Sequence, residues 1–101
     1  MQKVVTDNLD NIRKLCEVFL VRELYVFGSA SVGSMHIDSD IDFLISFQNI
    51  SPDQYADNYF AMHYGLEDYL GRRIDLLTIN SLSNPYFIEA VEKTKQLLYA
   101  A

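Results

Sequence analysis

The sequence holds a single cysteine, Cys16, and no tryptophan among its 101 residues. A lone thiol cannot close an internal disulfide, so a reducing cytoplasm is the expected compartment and Cys16 reads as a small buried apolar residue. Without tryptophan, the six Phe and seven Tyr must supply the large core pieces. Basic residues are also scarce, since eight Lys and Arg face fourteen Asp and Glu, a formal charge of −6. That balance argues against direct nucleic-acid binding, where a basic face normally supplies the affinity. It leaves an anionic small substrate open, because a bound divalent cation reverses the local field. No apolar run approaches the roughly 20 residues that span a bilayer. The first apolar pair, Val4-Val5, gives way at once to Thr-Asp-Asn, so neither a leader nor a membrane partner is expected. Repeats, low-complexity tracts and linkers are lacking too. Residues 1–101 read as one domain of ordinary composition, 50% hydrophobic and 22% charged.

What is present alternates between helix and strand signals. Leu9, Ile12, Leu15, Cys16 and Phe19 recur at three- and four-residue steps and predict an amphipathic helix from about Asp7 to Phe19, with Thr6 or Asp7 as its cap. Leu24 to Phe27 predicts a short buried strand stopped by Gly28-Ser29. Ile41, Phe43, Ile45 and Phe47 alternate along a second strand. Ser51 and Pro52 restart a helix that runs to Leu70 and ends at Gly71, turning Tyr55, Tyr59, Met62, Leu66 and Tyr69 toward the core. Ile74 to Ile79 predicts a third strand, Asn80 to Asn84 a polar loop, and Pro85 the start of a last helix to about Leu98. The order is helix, strand, strand, helix, strand, helix. It predicts an α/β fold, one mixed sheet packed with helices, with strand directions left open.

Asp40 and Asp42 interrupt this apolar pattern at the second strand. Strands rarely carry Asp, and side chains two residues apart project to one face, roughly 6.5–7 Å apart along the backbone. Carboxylates gathered in this way require a proton, water or a cation. Magnesium suits them, because it takes oxygen ligands and shares its shell with substrate phosphates. Asp75, set between Ile74 and Leu76, would add a third carboxylate if the second and third strands pair, enough for two metals. Gly28-Ser29, followed by "ASVG", has the makings of a phosphate cradle if Ala30 to Val32 form one helical turn. Asp38 reads as a loop residue, His36 as a solvent-exposed histidine and His63 as structural. The tyrosines read as core or interface residues.

The stretch "GSASVGSMHIDSDID" resembles the Gly-Ser and Asp-x-Asp motif of the DNA polymerase beta-like nucleotidyltransferases. The small size and the later "RRIDLLT" resemble the minimal nucleotidyltransferases (MNT) of that superfamily, and "IEAVEKTKQLLYA" their C-terminal helix. The resemblance implies that Gly28 and Ser29 hold the nucleotide's phosphates. It implies that Asp40 and Asp42 ligate magnesium, one ion or two, with Asp75 completing the triad and assisting the attacking hydroxyl. Family members of this size are commonly antitoxins of the MntA type, encoded beside a HEPN-domain ribonuclease toxin. The implied reaction is transfer of AMP from ATP to a tyrosine hydroxyl of that toxin. One departure is that Ala30, Ser31 and Val32 stand where the family often has arginine, which leaves Arg72 or Arg73 as the substitute cation.

Other readings of the acids fare less well. An EF-hand loop starting at Asp38 would need glycine where Phe43 stands and glutamate where Asn49 stands. An acidic strand edge that discourages aggregation accounts for Asp38 but not for the Gly-Ser partner or Asp75. Two functional alternatives remain: an antitoxin that acts by docking with little catalysis, and nucleotidyl transfer to a small molecule.

Overall fold

The apolar residues at alternating positions of Ile41–Phe47 place a strand at the centre of the molecule, and the remaining elements build outward from it. The computed structural model describes residues 1–28 and 40–101. In chain order the elements are α1 (Lys3–Asp7), α2 (Leu9–Val18), β1 (Val21–Phe27), β2 (Ile41–Phe47), α3 (Pro52–Leu70), β3 (Ile74–Thr78), a 3-10 turn (Ile79–Ser81), α4 (Pro85–Thr94) and β4 (Gln96–Ala100). The strands form one mixed sheet in the order β3-β2-β1-β4. β1 runs antiparallel to β2 and β4, while β2 and β3 are parallel. The expected α/β layer is therefore present, and the parallel pair is reached through α3, the crossover such a pair requires.

Among the described residues the two faces of the sheet carry core clusters of unequal size. Ile41, Phe43, Ile45, Leu24 and Val26 point to one face, where they meet Val5, Ile12 and Cys16 of α1 and α2 and Met62, Leu66 and Leu70 of α3. Among the described residues the opposite face buries Phe27, Leu44 and Val91, with Tyr25, Leu77, Ile79 and Leu82 packed around them. α4 supplies Val91 to this cluster.

Local signals set several boundaries. Ser51 accepts from the Gln54 N–H at 3.2 Å while Gln54 Oε1 accepts from the Ser51 N–H at 3.3 Å, a reciprocal cap ahead of Pro52. Gly71 closes α3 at φ 65°, a left-handed conformation that glycine adopts without strain. Asn84 Oδ1 accepts from the Tyr86 and Phe87 N–H groups at 2.9 and 3.2 Å and starts α4.

Four expectations need correction. The first expected helix is α2, preceded by the unexpected short helix α1; Asn8 separates the two, its side chain donating to the Val4 carbonyl at 2.8 Å. Neither Thr6 nor Asp7 is its cap, and Val5 is a core residue. In α3, Tyr69 faces solvent and Leu70 is buried in its place. β3 stops at Thr78, with Ile79 in the 3-10 turn. The last helix ends at Thr94, and Gln96–Ala100 forms a fourth strand instead of helix. Val91 and Leu98 suit a helical period, yet β4 pairs with β1 in the register Leu24↔Tyr99 and Tyr25↔Leu97. That pairing satisfies the second edge of β1, a long-range demand that local periodicity does not report.

Cys16 is buried and free, and burial pushes its thiol up to about 12. Among the described residues no helix is long and apolar enough to cross a membrane.

Candidate active site

The site lies at the end of the sheet where β1 stops and where β2 and β3 begin. Strand register decides which acids meet. Asp42 is the direct partner of Phe27 on β1 and of Asp75 on β3. Cross-strand partners share a face, so Asp42 and Asp75 stand side by side on the face that carries the small cluster of Phe27, Leu44 and Val91. Asp40 lies one residue before β2. Its Oδ1 is 3.7 Å from Nε of Arg73, a residue just before β3 and largely exposed.

The electrostatics follow from this placement. Burial is the largest influence on Asp42, followed by the charge of Asp75, a side-chain hydrogen bond with Asp75, and the charge of Asp40. Together they raise the Asp42 carboxyl from 3.8 to about 6. A hydrogen bond between two carboxyl groups needs a proton on one of them, and Asp42 is the group whose environment favours holding it. Arg73 is engaged with Asp40 at the rim of the pair.

Gly28 completes the described part of the site. It sits at φ 71°, and a Cβ placed there would lie 3.0 Å from Asp42 Oδ2. Only glycine lets the backbone take this turn and approach the carboxylate so closely. Its N–H donates to Thr94 Oγ1 at 2.9 Å. Behind the acids, Tyr59 Oη donates to the Leu76 carbonyl at 2.6 Å and ties β3 to α3 one residue after Asp75. Burial and the charges of Tyr55 and Asp75 raise the Tyr59 hydroxyl above its ordinary range.

The structure thus brings Asp42, Asp75 and Gly28 into one corner, with Asp40 at its rim. Ser29, the Ala30 to Val32 turn, His36 and Asp38 lie outside the described residues. Among the described residues no three His, Cys, Asp or Glu side chains are gathered as a ready metal site. His63 is 3.4 Å from Glu67 on the same helix, in keeping with a structural role. In sequence Thr94 marks only a helical turn 66 residues from Gly28 and carries no local signal for the site.

A profile of the nucleotidyltransferase domain family matches residues 10–98 and so takes in both acidic strands and the glycine turn. The chain belongs to the nucleotidyltransferase family. The protein adenylyltransferase MntA of Thermococcus cleftensis is 39% identical to this nucleotidyltransferase over 72 residues, 71% of this chain and 70% of the relative. A solved structure provisionally described as a minimal nucleotidyltransferase superposes with a TM-score of 0.70 at 26% identity, covering 95% of each chain. A complex of tri-AMPylated Shewanella oneidensis HEPN toxin with MNT antitoxin contains a chain that matches with a TM-score of 0.65. There the identity is 20%, over 95% of this nucleotidyltransferase and 72% of that chain, and the likeness is one of fold. The mixed sheet and its helices are those of minimal nucleotidyltransferases.

Proposed function

We propose that this nucleotidyltransferase is a magnesium-dependent protein adenylyltransferase that moves AMP from ATP to a tyrosine hydroxyl of a HEPN-domain toxin, acting as its cytoplasmic antitoxin. Residues 1–101 act as one catalytic domain. The observation that carries the reading is the cross-strand pair Asp42 and Asp75 with Gly28 packed against it. The similarity to a protein adenylyltransferase supports the choice of reaction, and the fold shared with an MNT antitoxin supports the choice of partner.

The donor set fits a divalent cation. Two facing carboxyls, one half-buried and raised by its neighbours, are the all-oxygen ligands that magnesium takes, and a cation would relieve their repulsion. When bound, magnesium supplies Lewis-acid charge to the phosphoryl group. Asp40, Asp42 and Asp75 would hold it, and Gly28 with Ser29 would hold the phosphates. Asp75 also accepts the proton of the attacking tyrosine hydroxyl, whose oxygen bonds to the α-phosphorus as the bond to pyrophosphate breaks. Arg73, at the rim beside Asp40, would offset phosphate charge.

The test is incubation with a HEPN protein encoded beside this chain, ATP and magnesium, followed by intact mass. Steps of one adenylate unit are expected on the partner, and they disappear with Asp42→Asn although the complex still forms. If Asp40→Asn and Asp42→Asn leave neutralisation of the toxin untouched, the antitoxin acts by docking and the enzymatic reading fails.

A further inference from the structure

Gly28 is the last described residue before the segment expected to meet the phosphates, and the sheet no longer holds it. The ladder to β2 ends at Phe27↔Asp42, and the ladder to β4 ends at Val26↔Gln96. Beyond these pairs a backbone N–H needs another acceptor. Thr94, at the end of α4, provides it: Gly28 N–H donates to Thr94 Oγ1 at 2.9 Å. The same hydroxyl donates to the Ala90 carbonyl at 3.2 Å, one turn back in α4. With its hydrogen directed to Ala90, the hydroxyl presents a lone pair to Gly28.

This contact bears on the site because Gly28 has no slack on its other side. Asp42 Oδ2 lies 3.0 Å from the place a Cβ would take, and the backbone there is left-handed at φ 71°. A Gly28 peptide released from Thr94 would be free to tilt against that carboxylate. We propose that Thr94 is a positioning residue for nucleotide binding: its hydroxyl fixes the Gly28 peptide between α4 and Asp42, and so holds the glycine expected to meet the phosphates. The inference rests on the nucleotidyltransferase site proposed above. It gives α4 a task beyond covering Leu44, because the helix end anchors the turn.

The experiment compares the full-length chain with Thr94→Val, which keeps the shape and removes the hydroxyl, and Thr94→Ser, which keeps the hydroxyl. Calorimetric titration with ATP and magnesium gives the affinity, and amide exchange at Gly28 by NMR reports the hydrogen bond without any ligand. Thr94→Val is expected to weaken nucleotide binding roughly five- to tenfold, the size of one lost hydrogen bond, and to speed Gly28 exchange. Thr94→Ser should stay within about twofold of wild type on both readouts. Equal affinity in wild type and Thr94→Val overturns the inference, as does equal loss in Val and Ser variants. Should Thr94→Val fail to fold by circular dichroism, Thr94→Ala against Thr94→Ser decides on the same criteria. If wild type binds no ATP, the functional reading itself falls, and protected Gly28 exchange that Thr94→Val abolishes would show that the anchor exists without that function.

Discussion

Replacing Asp42 by asparagine should stabilise the metal-free protein at neutral pH while abolishing catalysis. In the folded chain burial and then Asp75 raise the Asp42 carboxyl from 3.8 to about 6. Folding therefore favours the protonated form. The stabilisation this gives is fully present below about pH 4 and is lost as pH rises through about 6. A rise from 3.8 to about 6 corresponds to roughly 3 kcal/mol between the two protonation states. Asp42 is partly exposed, so screening by water leaves about 1–2 kcal/mol. Asparagine is nearly isosteric and carries no charge at any pH. In EDTA at pH 7, Asp42→Asn should melt roughly 4–12 °C above wild type, the shift that such an energy gives in a domain of about 100 residues. The advantage should vanish near pH 4, where both side chains are neutral, and the difference between the proteins cancels every other titrating group. Adding magnesium should raise the wild type toward the variant and leave the variant unmoved. A variant no more stable than wild type at pH 7, or one with the same advantage at pH 4 and pH 7, would refute the reasoning.

Three further substitutions probe the same architecture. Gly28→Ala forces a left-handed backbone on a residue with a Cβ and sets that carbon 3.0 Å from Asp42 Oδ2. It should cost about 1–2 kcal/mol in urea denaturation, and adenylate transfer should fall even where the protein is folded. Ser46 Oγ is buried with no hydrogen-bond partner among the described residues, so Ser46→Ala should be neutral or stabilise by up to ~1 kcal/mol, read as a shift in urea midpoint. A loss of more than that would mean that the hydroxyl has a partner in solution. Asn84→Ala removes the side-chain acceptor of two N–H groups at the start of α4. The expected loss is ~1 kcal/mol in the same assay, and an unchanged midpoint would show that α4 does not depend on its cap.

The sequence by itself determined the elements whose signals are local. Alternation at Ile41, Phe43, Ile45 and Phe47 marks β2 because two-residue periodicity is a property of the strand alone. Ser51, Pro52 and Gly71 bound α3 because caps act on their own backbone within a few residues. The acids were legible for the same reason, since an Asp in a strand core is conspicuous wherever the strand goes. Tertiary structure decided which acids meet. The parallel register sets Asp42 beside Asp75, while Asp40 falls outside the strand and turns to Arg73. It also decided that Gln96–Ala100 is a strand, because the free edge of β1 needed partners that a helical reading of Val91 and Leu98 could not reveal. The bond from Gly28 to Thr94 belongs wholly to that second class. It joins residues 66 positions apart, and only the docking of α4 against the end of β1 brings them together.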